Sequence, residues 1–218
     1  MKIHQLLTAV GVLALVRTGL AAEPVTALTN QADCCAKELP AATPLSDRSL
    51  YQLDSSWTND AGAALRLASL RGRPQVVTMF FASCQFTCPV LVKDLQRIEA
   101  ALPENTRTNV GFVLVSFDST RDTPAALAQY RKAHGLAANW TLLRAAPDDV
   151  LELGALLGVK FKKDVRGDFA HSNVITVLDA DGAIVRQIVG LNRDASEAVE
   201  AVEQTFTSKK KEPTTKTD

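Results

Sequence analysis

The chain has 218 residues, 46% of them apolar and 22% charged, a composition that excludes disordered, collagen-like and disulfide-dense classes. That length accommodates one domain with a real hydrophobic core and no need of covalent staples or structural metals, so the four cysteines are free for chemistry. Lys plus Arg and Asp plus Glu each number 24, and no basic stripe stands out, which argues against a nucleic-acid partner held by phosphate neutralisation.

Residues 1–22 read as a secretory signal peptide: Lys2 opens a short basic end, Leu6 to Val16 form an apolar stretch, and small residues lead to Ala21 and Ala22. The run is interrupted at Arg17, short of the roughly 20 apolar residues a membrane-spanning helix requires. Cleavage there predicts an exported, periplasmic protein without a transmembrane span and with a net charge of about −2, since Lys2 and Arg17 leave with the signal. Residues 23–48, with Pro24, Pro40 and Pro44 and no periodicity, read as a flexible linker that carries the vicinal pair Cys34 and Cys35. A single folded domain is expected over 49–207, followed by a disordered basic tail over 208–218.

Within the domain, Leu50 to Trp57 and Ala64 to Leu70 flank the turn signal Asn59, Asp60 and Gly62, which predicts a leading hairpin. Val76 to Ala82 is a near-continuous apolar run of β-formers, expected as an interior strand covered on both faces. Beyond Pro89, Leu91, Leu95, Ile98 and Leu102 repeat at helical spacing up to Pro103. Val110 to Phe117 is a second buried strand, and Thr123 with Pro124 starts a helix to His134, stopped by Gly135. A short strand over Trp140 to Leu143, a helix over Pro147 to Gly158, a hairpin of Asn173 to Leu178 with Ala183 to Val189, and a final helix capped by Asp194 and Glu197 complete the chain. The alternation predicts an α/β fold with a central mixed sheet, parallel crossovers and flanking helices.

Cys84 and Cys88 follow the first apolar strand at a strand-to-helix turn, where backbone N–H groups and the positive end of the helix dipole favour thiolate. Their three-residue spacing fits a structural disulfide, a redox pair or a soft-metal site, and does not choose among them. Of the three histidines, His4 lies in the signal and His134 ends a helix, where an imidazolium would meet the terminal carbonyls. His171 precedes the strand Asn173 to Leu178. In a thioredoxin-like sheet that loop passes over the cysteine turn, and no proline occurs between Pro147 and Pro213 to occupy the place it normally fills in redox members. Two thiolates and an imidazole suit copper, the sulfurs favouring Cu(I) and the nitrogen supporting Cu(II); zinc would accept the same atoms, but a structural zinc site needs a fourth ligand.

The run Phe80-Phe81-Ala82-Ser83-Cys84-Gln85-Phe86-Thr87-Cys88-Pro89, the segment Asp118-Ser119-Thr120-Arg121-Asp122-Thr123-Pro124, and His171 ahead of a strand ending in Asp179-Ala180-Asp181-Gly182 together resemble the Sco (SenC/PrrC) family over roughly Leu50 to Phe206. The resemblance implies a thioredoxin-like fold, copper ligation by Cys84, Cys88 and His171, and a role in assembling the copper centre of cytochrome c oxidase, with subunit II or another exported copper enzyme as client. It also implies Asp118 as an acidic group near the site, against the plain reading that Asp118 organises the turn before Asp122. Two departures stand out: Gln85, Phe86 and Thr87 replace the family's common Pro-Asp-Val between the cysteines, and Ala170 replaces an acid before the histidine.

Two functions follow. One is a copper metallochaperone that passes Cu(I) or Cu(II) to a client by ligand exchange. The other is a thiol:disulfide oxidoreductase, in which one of Cys84 and Cys88 attacks the client's ligand cysteines and the other resolves, making the pair catalytic. A peroxidase on the same fold would need Thr and Pro where Gln85 and Phe81 stand. Cys34 and Cys35 disfavour a mutual disulfide, because adjacent Cα atoms sit about 3.8 Å apart and a bridge wants about 4.4 Å or more. They are either auxiliary thiols on a mobile arm, an intermolecular bridge, or incidental.

Overall fold

The computed structural model describes residues 44–165 and 168–209. Among the described residues nine strands and five helices occur, of which α2, β6 and β7 were not expected: β1 (Trp57–Asn59), β2 (Ala64–Leu65), β3 (Gln75–Phe80), α1 (Thr87–Ala101), α2 (Glu104–Arg107), β4 (Gly111–Ser116), α3 (Pro124–His134), β5 (Trp140–Arg144), α4 (Pro147–Leu156), β6 (Phe161–Lys163), β7 (Phe169–His171), β8 (Val174–Leu178), β9 (Ile184–Val189) and α5 (Ser196–Lys209). Seven strands form one sheet in the order β2-β1-β5-β4-β3-β8-β9. The β3–β4 and β4–β5 pairs are parallel, as their helical crossovers require, and β8, β9, β1 and β2 join antiparallel.

Every residue of β3, β4 and β8 is buried, which is why these strands read as continuous apolar runs instead of alternating ones. The leading hairpin is present but short, because Leu50–Gln52 and Leu67–Leu70 curl into 3₁₀ turns on either side of it. Helix α3 has the predicted caps: Thr123 accepts from the Ala126 N–H, Pro124 sits in the first turn, and Gly135 takes the left-handed conformation at φ 61° that a side chain would disfavour. Helix α5 runs to Lys209, two residues past the expected domain edge at 207.

Two expectations need correction. The helix after the cysteine turn starts at Thr87, not Pro89, so Cys88 lies within its first turn. His171 is not in a plain loop: it ends β7, which pairs with β6 as a separate two-stranded ribbon in the register Phe161↔His171 and Lys163↔Phe169. Aromatic packing stabilises that ribbon, with Phe161 stacked on Phe117 at 5.1 Å and Phe169 tilted against Phe117 and Phe81 at 4.9 and 5.4 Å. Among the described residues no helix is long and apolar enough to cross a membrane. Cys34, Cys35 and the signal segment lie outside the described residues.

Candidate metal centre

The end of β3 turns sharply. Phe80 accepts from the Phe117 N–H at 3.0 Å, the Cys84 N–H donates back to the Phe81 carbonyl at 3.2 Å, and α1 begins three residues later. The turn is tied to the next crossover by Asp122, a buried side chain whose Oδ2 accepts from the Ala82 N–H at 2.9 Å and from the Ser116 hydroxyl. Burial pushes the Asp122 carboxyl above its ordinary range, against the pull of those two donors. In the sequence Asp122 stands out only as part of a motif, and an acid just ahead of the Thr-Pro helix start is the signal for its role.

Cys84, Cys88 and His171 converge, with Cys Sγ and His nitrogen atoms all within 4.8 Å of one another. Metal bonds of about 2.3 Å to sulfur and about 2.0 Å to nitrogen would place trigonal ligands roughly 3.8 Å apart, so a contraction of about 1 Å or less closes the trio on a single ion. The two cysteines differ. Cys84 is half-buried; burial works against its charged form, but N–H groups of Cys88, at 3.4 Å from Sγ, and of Phe86 bring its pKa below that of a free thiol. Cys88 is fully buried, and burial pushes its thiol far up, with the neighbouring Cys84 adding to the effect.

His171 Nδ1 lies 3.2 Å from the Ser172 carbonyl. A carbonyl only accepts, so Nδ1 carries the hydrogen and the Nε2 lone pair faces the sulfurs, with Cys88 Sγ at 3.7 Å. Burial lowers the His171 pKa, only partly countered by the Ser172 carbonyl, and so keeps the lone pair free. Phe117 and Phe81 close around the ring at 5.0 and 6.1 Å. A groove of about 520 Å³ opens beside Cys84 between the turn Ser83–Thr87 and the ribbon residues Asp164, Asp168 and Phe169.

The family model described as SCO1/SenC matches residues 45–207 of this chain.

The chain belongs to the SCO1/SenC family.

A relative from Stutzerimonas stutzeri, named as a copper-binding protein, is 27% identical over 142 residues, covering 63% of this chain and 68% of its own. Two solved Sco structures match in fold. Arabidopsis thaliana ScoI with copper bound superposes with a TM-score of 0.63 at 21% identity, over 71% of this chain and 96% of its own. Yeast Sco1 with copper bound gives 0.60 at 20% identity, over 71% and 87%. The fold of this Sco protein is accordingly thioredoxin-like, and its Cys84, Cys88 and His171 sit together.

Asp118 is buried, but its carboxylate is engaged elsewhere: Arg121 donates to it through Nε and its backbone N–H, and Lys163 lies 3.9 Å away. Its backbone carbonyl accepts from the Asp122 N–H at 3.0 Å, the turn-organising role of the plain reading. His134 departs from the expected imidazolium at a helix end. Burial and the Lys93 charge favour its neutral form, and the ring stacks on Tyr130 at 4.1 Å; Arg131 and Lys132 supply the positive charge in that last turn.

Proposed function

We propose that this Sco protein is a copper carrier, exported to the periplasm after loss of residues 1–22, that holds one ion between Cys84, Cys88 and His171 and passes it to a client copper enzyme. The convergence of two sulfurs and one imidazole nitrogen within 4.8 Å carries the reading. Soft thiolates retain Cu(I), and an uncharged imidazole adds a donor that also tolerates Cu(II). A three-coordinate site next to an open groove leaves room for an incoming client thiolate, so the ion moves by ligand exchange without becoming free. Cytochrome c oxidase subunit II is the client the family points to, and the copper-bound Sco relatives support the choice of metal.

The contrast between the cysteines supports a second activity at the same turn: Cys84, partly exposed and acidified, attacks a client disulfide, and buried Cys88 resolves the mixed disulfide. Titrating reduced protein with copper in an anaerobic chamber separates the two. Wild type should bind one equivalent, and His171→Ala should lose at least about tenfold in affinity, the cost of about 1.4 kcal/mol or more for one ligand. Disulfide reduction should survive in the same variant. Copper affinity unaltered in His171→Ala would defeat the carrier reading.

A further inference from the structure

Thr87 stands where the family resemblance leads one to expect an apolar residue, and its hydroxyl sits among all three candidate ligands. Oγ1 lies 3.1 Å from His171 Nε2 and 3.7 Å from Cys84 Sγ. Because Nδ1 donates to the Ser172 carbonyl, Nε2 has only a lone pair to offer, so the Thr87 O–H must be the donor in that contact. The hydroxyl therefore occupies the very lone pair that a metal would take. Cys88 Sγ, 3.7 Å from Nε2, also lies within the longer hydrogen-bond range of a sulfur.

A threonine hydroxyl turns about χ1 and about its C–O bond with the backbone fixed. Once Nε2 is given to a metal, the O–H is left without that acceptor inside a half-buried pocket, where an unmade hydrogen bond is costly. Cys84 Sγ, 3.7 Å from Oγ1, is an acceptor within reach, and it carries negative charge when it ligates and so accepts a stronger hydrogen bond than a neutral thiol.

We propose that Thr87 is a two-position hydrogen-bond switch, capping His171 Nε2 in the metal-free protein and turning to Cys84 Sγ when a metal is bound. The inference rests on the copper reading above. It makes Thr87 a positioning residue: the cap holds the imidazole aimed at the sulfurs before copper arrives, and the second position withdraws electron density from the Cys84 thiolate afterwards. No proton changes owner and no electron moves; one O–H exchanges one acceptor for another.

The test compares full-length Thr87→Val, which keeps the shape and loses the O–H, with Thr87→Ser, which keeps the O–H. In metal-free reduced protein, long-range proton–nitrogen NMR of the His171 ring should show the Nε2 resonance moved downfield in Thr87→Val, as for an uncapped lone pair, and unmoved in Thr87→Ser. After loading with Cu(II), the sulfur-to-copper absorption band should move to longer wavelength in Thr87→Val, because a thiolate without its hydrogen bond is a better electron donor, and Thr87→Ser should match wild type. An unmoved Nε2 resonance, or an unmoved absorption band, in Thr87→Val overturns the switch while leaving the copper reading intact. Failure of the wild type itself to bind copper overturns both.

Discussion

At the residue scale the site is built on inequality between two sulfurs four positions apart. Cys88 is sealed under the start of α1 with its thiol pushed up by burial, whereas Cys84 is half-exposed and its thiolate is favoured by two backbone N–H groups. Iodoacetamide should therefore label Cys84 first in reduced, metal-free protein, with a rate that rises at a lower pH than for an ordinary thiol, and should leave Cys88 unlabelled until the fold is opened; peptide mass spectrometry reads both. The same shifts set the pH dependence of copper binding. His171, its pKa lowered by burial, contributes less slope than a free imidazole would, but Cys88 must shed a proton that it holds tightly. Copper affinity should rise by at least about tenfold per pH unit between about pH 6 and 8, with protons released on binding and detected by an indicator dye. Affinity independent of pH in that window would mean that Cys88 is not a ligand.

At the scale of elements, three separate pieces of chain meet at the site, held by two kinds of contact. The cysteine turn is pinned to the β4–α3 connection by the Asp122 carboxylate, bonded to the Ala82 N–H and the Ser116 hydroxyl. Asp122→Ala should destabilise the protein by about 1–3 kcal/mol, since it leaves the part-buried Ala82 N–H and the O–H of buried Ser116 without an acceptor, and should weaken copper binding as the turn loosens; Asp122→Asn, which keeps an acceptor, should recover part of both. Chemical denaturation and copper titration measure the pair of effects. The His171 ribbon depends instead on rings: Phe169 meets Phe81, Phe117 and Phe161. Phe169→Ala should speed amide hydrogen exchange across Phe161 to His171 while β3 and β4 stay protected, and copper affinity should fall with the freed ribbon.

Much of this was readable from the amino-acid string. The buried strands β3, β4 and β8 announced themselves because a strand covered on both faces must be apolar throughout, and α3 because Thr123, Pro124 and Gly135 are its caps. The β6–β7 ribbon was not legible. Phe161-Lys162-Lys163 and Phe169-Ala170-His171 are three residues each, too short for a period-2 pattern, and what makes them strands is packing against Phe81 and Phe117, residues far away in the chain. Thr87 escaped for a related reason: a threonine at a helix start is common, and only the fold places its hydroxyl 3.1 Å from a histidine 84 positions later.

At the scale of the whole molecule, the candidate site occupies one region of the sheet, where the β3–α1 turn, the β4–α3 connection and the ribbon meet. All three proposed ligands, together with Thr87, Asp122 and the aromatic shell, lie between residues 44 and 209, and the seven-stranded sheet has its core there as well. That distribution makes a demand on the rest of the chain. If Cys34 and Cys35 are not needed to complete the coordination sphere, a fragment spanning 44–209 should fold with the thermal midpoint of the longer protein, bind one copper per chain, and show the same sulfur-to-copper absorption. Any difference would be confined to exchange with a client or with a second copy of the chain, where thiols on an arm act by raising the local concentration of soft ligands near the groove. A fragment that folds normally but binds copper weakly, and regains affinity when residues 23–43 are restored with both cysteines but not with serines, would place Cys34 or Cys35 in the coordination sphere and make the site a four-ligand one. Analytical ultracentrifugation of the copper-loaded longer chain, run with and without reductant, would then show whether that fourth sulfur comes from the same molecule or from a neighbour.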